Sequence, residues 1–439
     1  MSDQTKQPVI QALRGMRDSL PKDAIYWTGI EDIFKIWLAD YGYQRINLPI
    51  IESTKLFLRS LGDATDIVEK EMFTFTDALN GKNVTLRPEG TASCLRAVLE
   101  HHLLYNQPTQ RLWYYGSMFR HERPQKGRYR EFCQMGIEAL GMKGPDIDAE
   151  LILMTQDLWH RLGLQNSIAL QINSIGQLEE RKMYRQALIS YFEKYQALLD
   201  EDSRRRLKTN PLRILDSKNT TVQKICLQAP RLIDYLDNYS LEHYDQWKNM
   251  LTALNIPFVE NTNLVRGLDY YNLSVFEWVT EELGSQSTVC AGGRYDGLTK
   301  ELGGQPTPAA GFAIGVDRLL LLAIEKGQLP KNQTPDIYLI QKGEGAALYA
   351  LCIAKQLRQA GFRVLQHAGE AKFAYQFKQA NLSQARFAVI VGESEIALNN
   401  VTIKPLIDDK AQQTVKQVDM INTLQFLTKE IHPDGASLR

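Results

Sequence analysis

The sequence predicts an α+β protein in two parts: a large part built on antiparallel sheet flanked by helices, and a small α/β part at the C-terminal end. Three observations carry this reading. Two β-hairpin patterns stand close together between residues 72 and 140, charged helix-forming sequence replaces strand-like runs at about 176–263, and strand and helix patterns alternate after residue 335.

The elements follow in chain order. From Pro21 to Tyr41 the apolar residues Ile30, Ile33, Phe34, Trp37, Leu38 and Tyr41 recur at helical spacing, and Gly42 stands where a C-terminal cap would sit. Tyr43 to Ile51 reads as one strand, and Pro49, lacking an amide proton, suits it to an edge or an interface. Met72–Asp77 and Val84–Gly90 flank Asn80-Gly81, a dipeptide that accepts the positive φ values of a tight hairpin turn. Thr91–Leu104 reads as helix. A second hairpin is expected from strands near Arg111–Arg120 and Arg130–Leu140, joined by the basic loop HERPQKGRYR. Asp146–Leu162 is a helix with Leu151, Met154, Thr155, Leu158 and Leu162 on one side. Beyond the helical insertion, Leu273–Val279 and Thr288–Ala291 read as strands, and Ala309–Gly327 as a strand running directly into a helix. Leu329–Pro335 has the composition of a linker. The strands DIYLI, FRVLQ and FAVIVG then alternate with helices near Gly345–Ala360 and Ala371–Ala380, before a strand near Val401–Leu406 and a final helix. This texture predicts a mainly parallel sheet.

Composition excludes several function classes. The 439 residues carry 51 Lys and Arg against 51 Asp and Glu, which argues against binding nucleic acid through bulk positive charge. A hydrophobic share of 44%, a charged share of 23% and a mean hydropathy of −0.31 are those of a globular protein. The five cysteines, Cys94, Cys133, Cys226, Cys290 and Cys352, are scattered with no CxxC, so neither a zinc site nor a disulfide framework is supported. The N-terminus lacks the apolar run of a signal peptide and no stretch of about 18 apolar residues occurs, so a soluble cytoplasmic protein without a membrane partner is expected.

Familiar nucleotide signatures are missing. No GxxxxGK[ST] loop or HExxH occurs, and GEGAAL (Gly343–Leu348) fails the GxGxxG pattern, so a nucleotide would have to be held by side chains on a sheet. The place to look is Arg111–Arg130, where Arg111, Arg120, Arg123, Lys126, Arg128 and Arg130 face Glu122 alone. On the following strand, alternation puts Phe132, Gln134, Gly136 and Glu138 on one face, with the glycine leaving room between an amide and a carboxylate. With Arg120 pointing the same way, such a set could hold a phosphate at one end and an amine or imidazole at the other. The same pattern also fits a solvated basic hairpin. Three further stretches stand out: Val265–Trp278 with Arg266, Asp269, Tyr270 and Tyr271; Ala291–Leu298 with paired glycines and Tyr295; and Arg318 at a helix start. A cation there is disfavoured by the helix dipole unless an anion meets it.

Together these stretches resemble the class II aminoacyl-tRNA synthetases, and within that class the histidyl-tRNA synthetases. Pro49 in YQRINLPIIE matches motif 1, which builds the dimer interface in that class, and TLRPEGT (Thr85–Thr91) matches the amino-acid-binding loop. FRHERPQKGRYREF (Phe119–Phe132) matches motif 2, and GFAIGVDRL (Gly311–Leu319) matches motif 3. LVRGLDYY and AGGRYDG mark the histidine-specific members. The resemblance implies a class II catalytic domain over residues 1–328, containing the helical insertion, a linker at 329–335, and an α/β anticodon-binding domain at 336–439. It implies formation of histidyl-adenylate and pyrophosphate from L-histidine and ATP, then transfer to the 3′ end of tRNA(His). Arg120 and Arg266 would be catalytic, on either side of the α-phosphate. Arg120, Glu122, Arg128 and Arg318 would bind ATP, and Glu89, Thr91, Gln134, Glu138, Arg266, Tyr270, Tyr271 and Tyr295 would bind histidine. Magnesium would ride on the ATP phosphates without a dedicated protein cage, and the chain would form a homodimer. Regulatory relatives of ATP phosphoribosyltransferase share this fold but typically lack the C-terminal domain and the ATP-binding arginines, all of which are in place here. LVRGLDYY and AGGRYDG disfavour a synthetase for another amino acid, and the set Glu89, Gln134 and Glu138 is more than an RNA-binding surface needs.

Overall fold

Side-chain alternation along the long hairpin Gln110–Phe119 and Glu131–Leu140 decides how the larger part is layered. Trp113, Met135 and Ile137 point to one face, where the helices Pro21–Asp40, Pro145–Arg161, Asn238–Ala253 and Val316–Glu325 bring Phe34, Trp37, Leu158, Trp247 and Leu319 into one apolar core. Each large side chain buried there contributes about 1.5–3 kcal/mol. Leu112, Tyr114 and Met118 point to the opposite face, beneath Thr91–Glu100 and the helices Leu178–Glu193, Glu201–Thr209 and Thr220–Cys226.

The computed structural model of the chain describes residues 9–61, 65, 67–215, 217, 219–266, 268, 270–284, 287–327, 329, 334–407 and 411–431. They fall into two compact units divided after residue 330. Most of the expected linker, together with Gly267 and Asp269, lies outside the described residues. In the larger unit the sheet runs, in spatial order, Gln44–Arg45, Gln110–Phe119, Glu131–Leu140, Ala309–Gly315, Thr288–Arg294, Asn272–Val279, Ala169–Ser174 and Val259–Glu260. The inner strands pair antiparallel, and a short strand lies parallel along each edge. A second sheet, Ile51–Ser53, Asn83–Leu86 and Phe73–Thr76, is antiparallel throughout.

Several expected elements take a different form. The single strand expected over Tyr43–Ile51 is split between the two sheets, because Leu48 and Pro49 turn away and the Leu48 carbonyl accepts from Arg87 Nη1 at 2.8 Å. Asn80-Gly81 is no two-residue turn. Asp77 closes a wider loop through its backbone N–H to Lys82 O (2.9 Å) and caps Leu79 with its carboxylate (2.9 Å), while Gly81 supplies φ +69°. The helix expected over Thr91–Leu104 stops at Glu100 and restarts at Leu103, with His102 at φ +53° between them.

In the smaller unit Ile337–Gln341 lies between Val364–Gln366 and Phe387–Val391, all parallel. Asn400–Pro405 and Gln413–Lys416 then add antiparallel, so the sheet is mixed and not mainly parallel. The reason is length: residues 392–399, with the short helix Glu393–Leu398, are fewer than the dozen or so that a parallel crossover needs.

Candidate active site

The site lies on the sheet face that carries Gln134 and Glu138, at the hairpin's centre. Tyr114 stands directly opposite Gly136, and a Cβ on that glycine would lie 2.2 Å from the Tyr114 ring. The room expected above Gly136 is therefore filled by the ring, whose hydroxyl donates to Glu138 Oε1 at 3.0 Å. From the other side the Tyr295 hydroxyl donates to Glu138 Oε2. Gly311 makes this possible, since a Cβ there would lie 2.5 Å from that hydroxyl and 2.1 Å from Ile137 O. Glu138 is 1% exposed, and burial, outweighing these hydrogen bonds, pushes its pKa up to about 8.

Beside it, the Glu89 carboxylate accepts from the backbone N–H of Thr91 (2.7 Å) and Ala92 (2.8 Å), capping the helix Thr91–Glu100 where the dipole favours a negative charge. Burial nevertheless raises its pKa. Gln134 Oε1 accepts from Gly90 N–H at 3.2 Å. Tyr270, Tyr271 and Tyr295 close this end as a ring cluster, with centroids 4.7, 5.5 and 6.0 Å apart.

The other end is cationic. Arg120 Nε donates to Pro88 O (2.9 Å), with its guanidinium 5.1 Å from the Phe132 ring centroid. Arg318 spans the cleft edge, Nε to Gly127 O (3.0 Å) and Nη1 to Thr288 O (2.8 Å). Arg128 pairs with Glu122, and Arg266 pairs with Glu277 while lying 5.3 Å from the Tyr271 centroid. Burial lowers the Arg318 pKa, and the charges of Arg128 and Arg120 lower it further. Burial likewise lowers that of Arg120, with the Arg266 charge adding to it against the opposing pull of Glu71 and Glu89. Guanidinium groups that repel one another in a shared low-dielectric cleft are relieved by a polyanion.

One cleft of about 1060 Å³, counting the space at its mouth, joins the two ends and is lined by Glu89, Thr91, Arg120, Glu122, Arg128, Gln134, Arg266, Tyr270, Tyr271, Tyr295 and Arg318. Of the expected residues only Glu138 stands off the wall, behind Gly311 and Tyr295. The basic stretch is less concentrated than its composition implies. Arg111 pairs outside the cleft with Glu150 (2.7 Å) and Lys126 with Glu325 (3.3 Å), while Arg130 donates to Glu122 O (3.1 Å). In AGGRYDG, Arg294 is fully buried and ties Asp148, Asp296 and the carbonyls of Met142 and Gly144 together. Sequence reasoning missed Tyr114, whose signal was its hairpin register, and Glu277, which accepts from Thr288 Oγ1 (3.0 Å) as well as holding Arg266. Among the described residues no group of His, Cys, Asp and Glu is arranged to hold a metal.

The family model described as histidyl-tRNA synthetase matches residues 15–319, and one described as an anticodon binding domain matches 336–427. A histidine–tRNA ligase of Laribacter hongkongensis is 60% identical over 415 residues, covering 94% of this chain and 98% of its own. That of Neisseria gonorrhoeae is 55% identical over 423 residues, covering 95% and 98%. The crystal structure of apo S. aureus histidyl-tRNA synthetase superposes with a TM-score of 0.78 at 34% identity, covering 95% of this chain and all of that one. A Bacillus halodurans ATP phosphoribosyltransferase regulatory subunit/histidyl-tRNA synthetase, at 21% identity and a TM-score of 0.64, shares the fold alone. The match of model, sequence and fold over nearly the whole length means that the chain belongs to the histidyl-tRNA synthetase family.

Proposed function

We propose that the cleft brings the carboxylate of histidine against the α-phosphate of ATP, with the amino acid at the tyrosine end and the triphosphate at the arginine end. The activity is the ATP-dependent ligation of histidine to tRNA, through histidyl-adenylate and pyrophosphate. The observation that supports the placement is that Arg120, Arg128, Arg266 and Arg318 line the same cleft as Glu89, Gln134 and the three tyrosines, so one cavity offers several cations and a hydrogen-bonding pocket together.

Attack of the histidine carboxylate on the α-phosphorus forms the acyl phosphate bond and breaks the bond to pyrophosphate. Charge builds on the phosphoryl oxygens, so preplaced cations matter more than a base. Arg120 and Arg266 stabilise that charge, Arg318 holds the γ-phosphate, Arg128 adds a phosphate contact and Glu122 meets the adenine. Magnesium, brought in with ATP, would supply further positive charge at the phosphates. The carboxylates at that end already have partners, Glu122 with Arg128, Glu277 with Arg266, and Asp317 with Arg17 and Cys133 N–H, which leaves the phosphates to hold the ion. At the other end Glu89, Thr91 and Gln134 hold the α-amino group. The Tyr295 hydroxyl, donating to Glu138, keeps a lone pair for the imidazole N–H, and Tyr270 and Tyr271 close the ring's other side. A site built on such hydrogen bonds rejects analogues lacking the polar group by about 10⁴–10⁵, so no editing domain is needed.

A homodimer is part of the same proposal, supported by Ile50 and Ile51, which follow Pro49 and are each 48% exposed. The smaller unit is read as the reader of the anticodon. A crossed pair of variants tests the cleft. Arg318→Ala should raise the ATP KM by about 10- to 100-fold, the scale of a lost hydrogen bond to a charged group, and leave the histidine KM nearly unchanged. Glu138→Ala should do the reverse. Both variants shifting the same substrate would overturn the placement.

A further inference from the structure

The segment before the first helix takes no part in the mechanism above, yet it is fastened to the back of the cleft wall. Gly15, at φ +90°, accepts through its carbonyl from the backbone N–H of Arg130 at 2.8 Å, where the basic loop rejoins the sheet. Arg130 Nη1 in turn donates to Arg14 O at 3.4 Å. A little further on, the Arg17 guanidinium stacks on Tyr129, 4.0 Å from the ring centroid, and ion-pairs with Asp317. The second Asp317 oxygen accepts from Cys133 N–H at 2.7 Å. Tyr129 and Asp317 both line the cleft, and each is the immediate neighbour of an arginine assigned to ATP, Arg128 and Arg318. One guanidinium, outside the cleft and 42% exposed, therefore bridges the loop that carries Arg128 and the helix that carries Arg318.

We infer that Arg17 is a positioning residue for the ATP end of the cleft: it clamps Tyr129 to Asp317 and so sets the spacing of Arg128 and Arg318 without touching a substrate. This rests on the reading of Arg318 as a phosphate ligand. The clamp has work to do because Arg128 and Arg318 are like charges on separate elements. Loop and helix are also joined by the hydrogen bond from Arg318 to Gly127 O and by the exposed pair of Lys126 and Glu325, a kind worth little in water. Arg17 also supplies the positive charge that the buried Asp317 carboxylate faces. A lysine could keep that charge and would lose the planar stack on Tyr129.

The test is steady-state ATP–pyrophosphate exchange with the full chain, titrating each substrate in turn. Arg17→Gln is expected to raise the ATP KM about tenfold, below the hundredfold that a misplacement of about 1 Å can cost, with the histidine KM unchanged. Arg17→Lys should raise it by less, and it carries the test if the glutamine variant does not fold. An unchanged ATP KM in both, an equal rise for both substrates, or a fall in kcat alone would overturn the inference. Arg318→Ala run alongside separates the failures: if it too leaves the ATP KM unchanged, the phosphate assignment is what fails.

Discussion

Buried between two phenol hydroxyls, Glu138 gains hydrogen bonds and loses its water, and burial is the larger effect. Its pKa of about 8 against an ordinary 4.5 fixes a sign. Between these values the folded chain holds a proton that the unfolded chain has released, so the stability Glu138 contributes falls as pH rises from 4.5 towards 8 and then levels off. Glu138→Gln, which cannot ionise, should escape that fall. In thermal unfolding without substrates, the Tm of the variant minus that of the parent should be larger at about pH 8.5 than at about pH 5.5. A difference independent of pH would mean that Glu138 is ionised in the empty cleft. The residue itself was legible from strand alternation with Gln134. Its pairing with two hydroxyls was not, because Tyr114 stands on the facing strand and Tyr295 follows the distant strand Thr288–Arg294.

At the scale of the element, the hairpin is built so that one glycine admits one ring. Adding a methyl in Gly136→Ala would drive Tyr114 off its place between Gly90 and Gly136 and loosen its bond to Glu138. Overpacking of this kind costs about 1–3 kcal/mol. The cost should nearly vanish in a Tyr114→Ala background, and denaturant unfolding of the four forms of this double-mutant cycle checks it. A full cost in both backgrounds would place the strain elsewhere. Elements with strong periodicity were legible almost to the residue: the hairpin at Gln110–Leu140, the helix at Pro145–Arg161, and the strand into helix at Ala309–Glu325. The misreadings fall where a tertiary contact overrides local pattern. Leu48 and Pro49 hand the chain from one sheet to another, His102 breaks a helix, and the last strands of the smaller unit turn antiparallel because the chain between them is short.

Over the whole molecule the charges sum to zero, and the smaller unit's share, 13 Lys and Arg against 10 Asp and Glu over residues 331–439, is nearly balanced too. What matters is where the cations converge. Of the six in Arg111–Arg130, Arg120 and Arg128 reach the cleft, and Arg266 and Arg318 join them from distant stretches. Sequence reading found all four by motif, whereas only the fold shows that Arg111, Lys126 and Arg130 are directed to partners elsewhere. ATP–pyrophosphate exchange, run in turn with each of the twenty amino acids, asks most directly whether this cleft activates histidine. Exchange supported by histidine and by no other amino acid, with a preference of about 10⁴ or more over any competitor, is the predicted result. Exchange that proceeds equally well without histidine, or better with another amino acid, would contradict it.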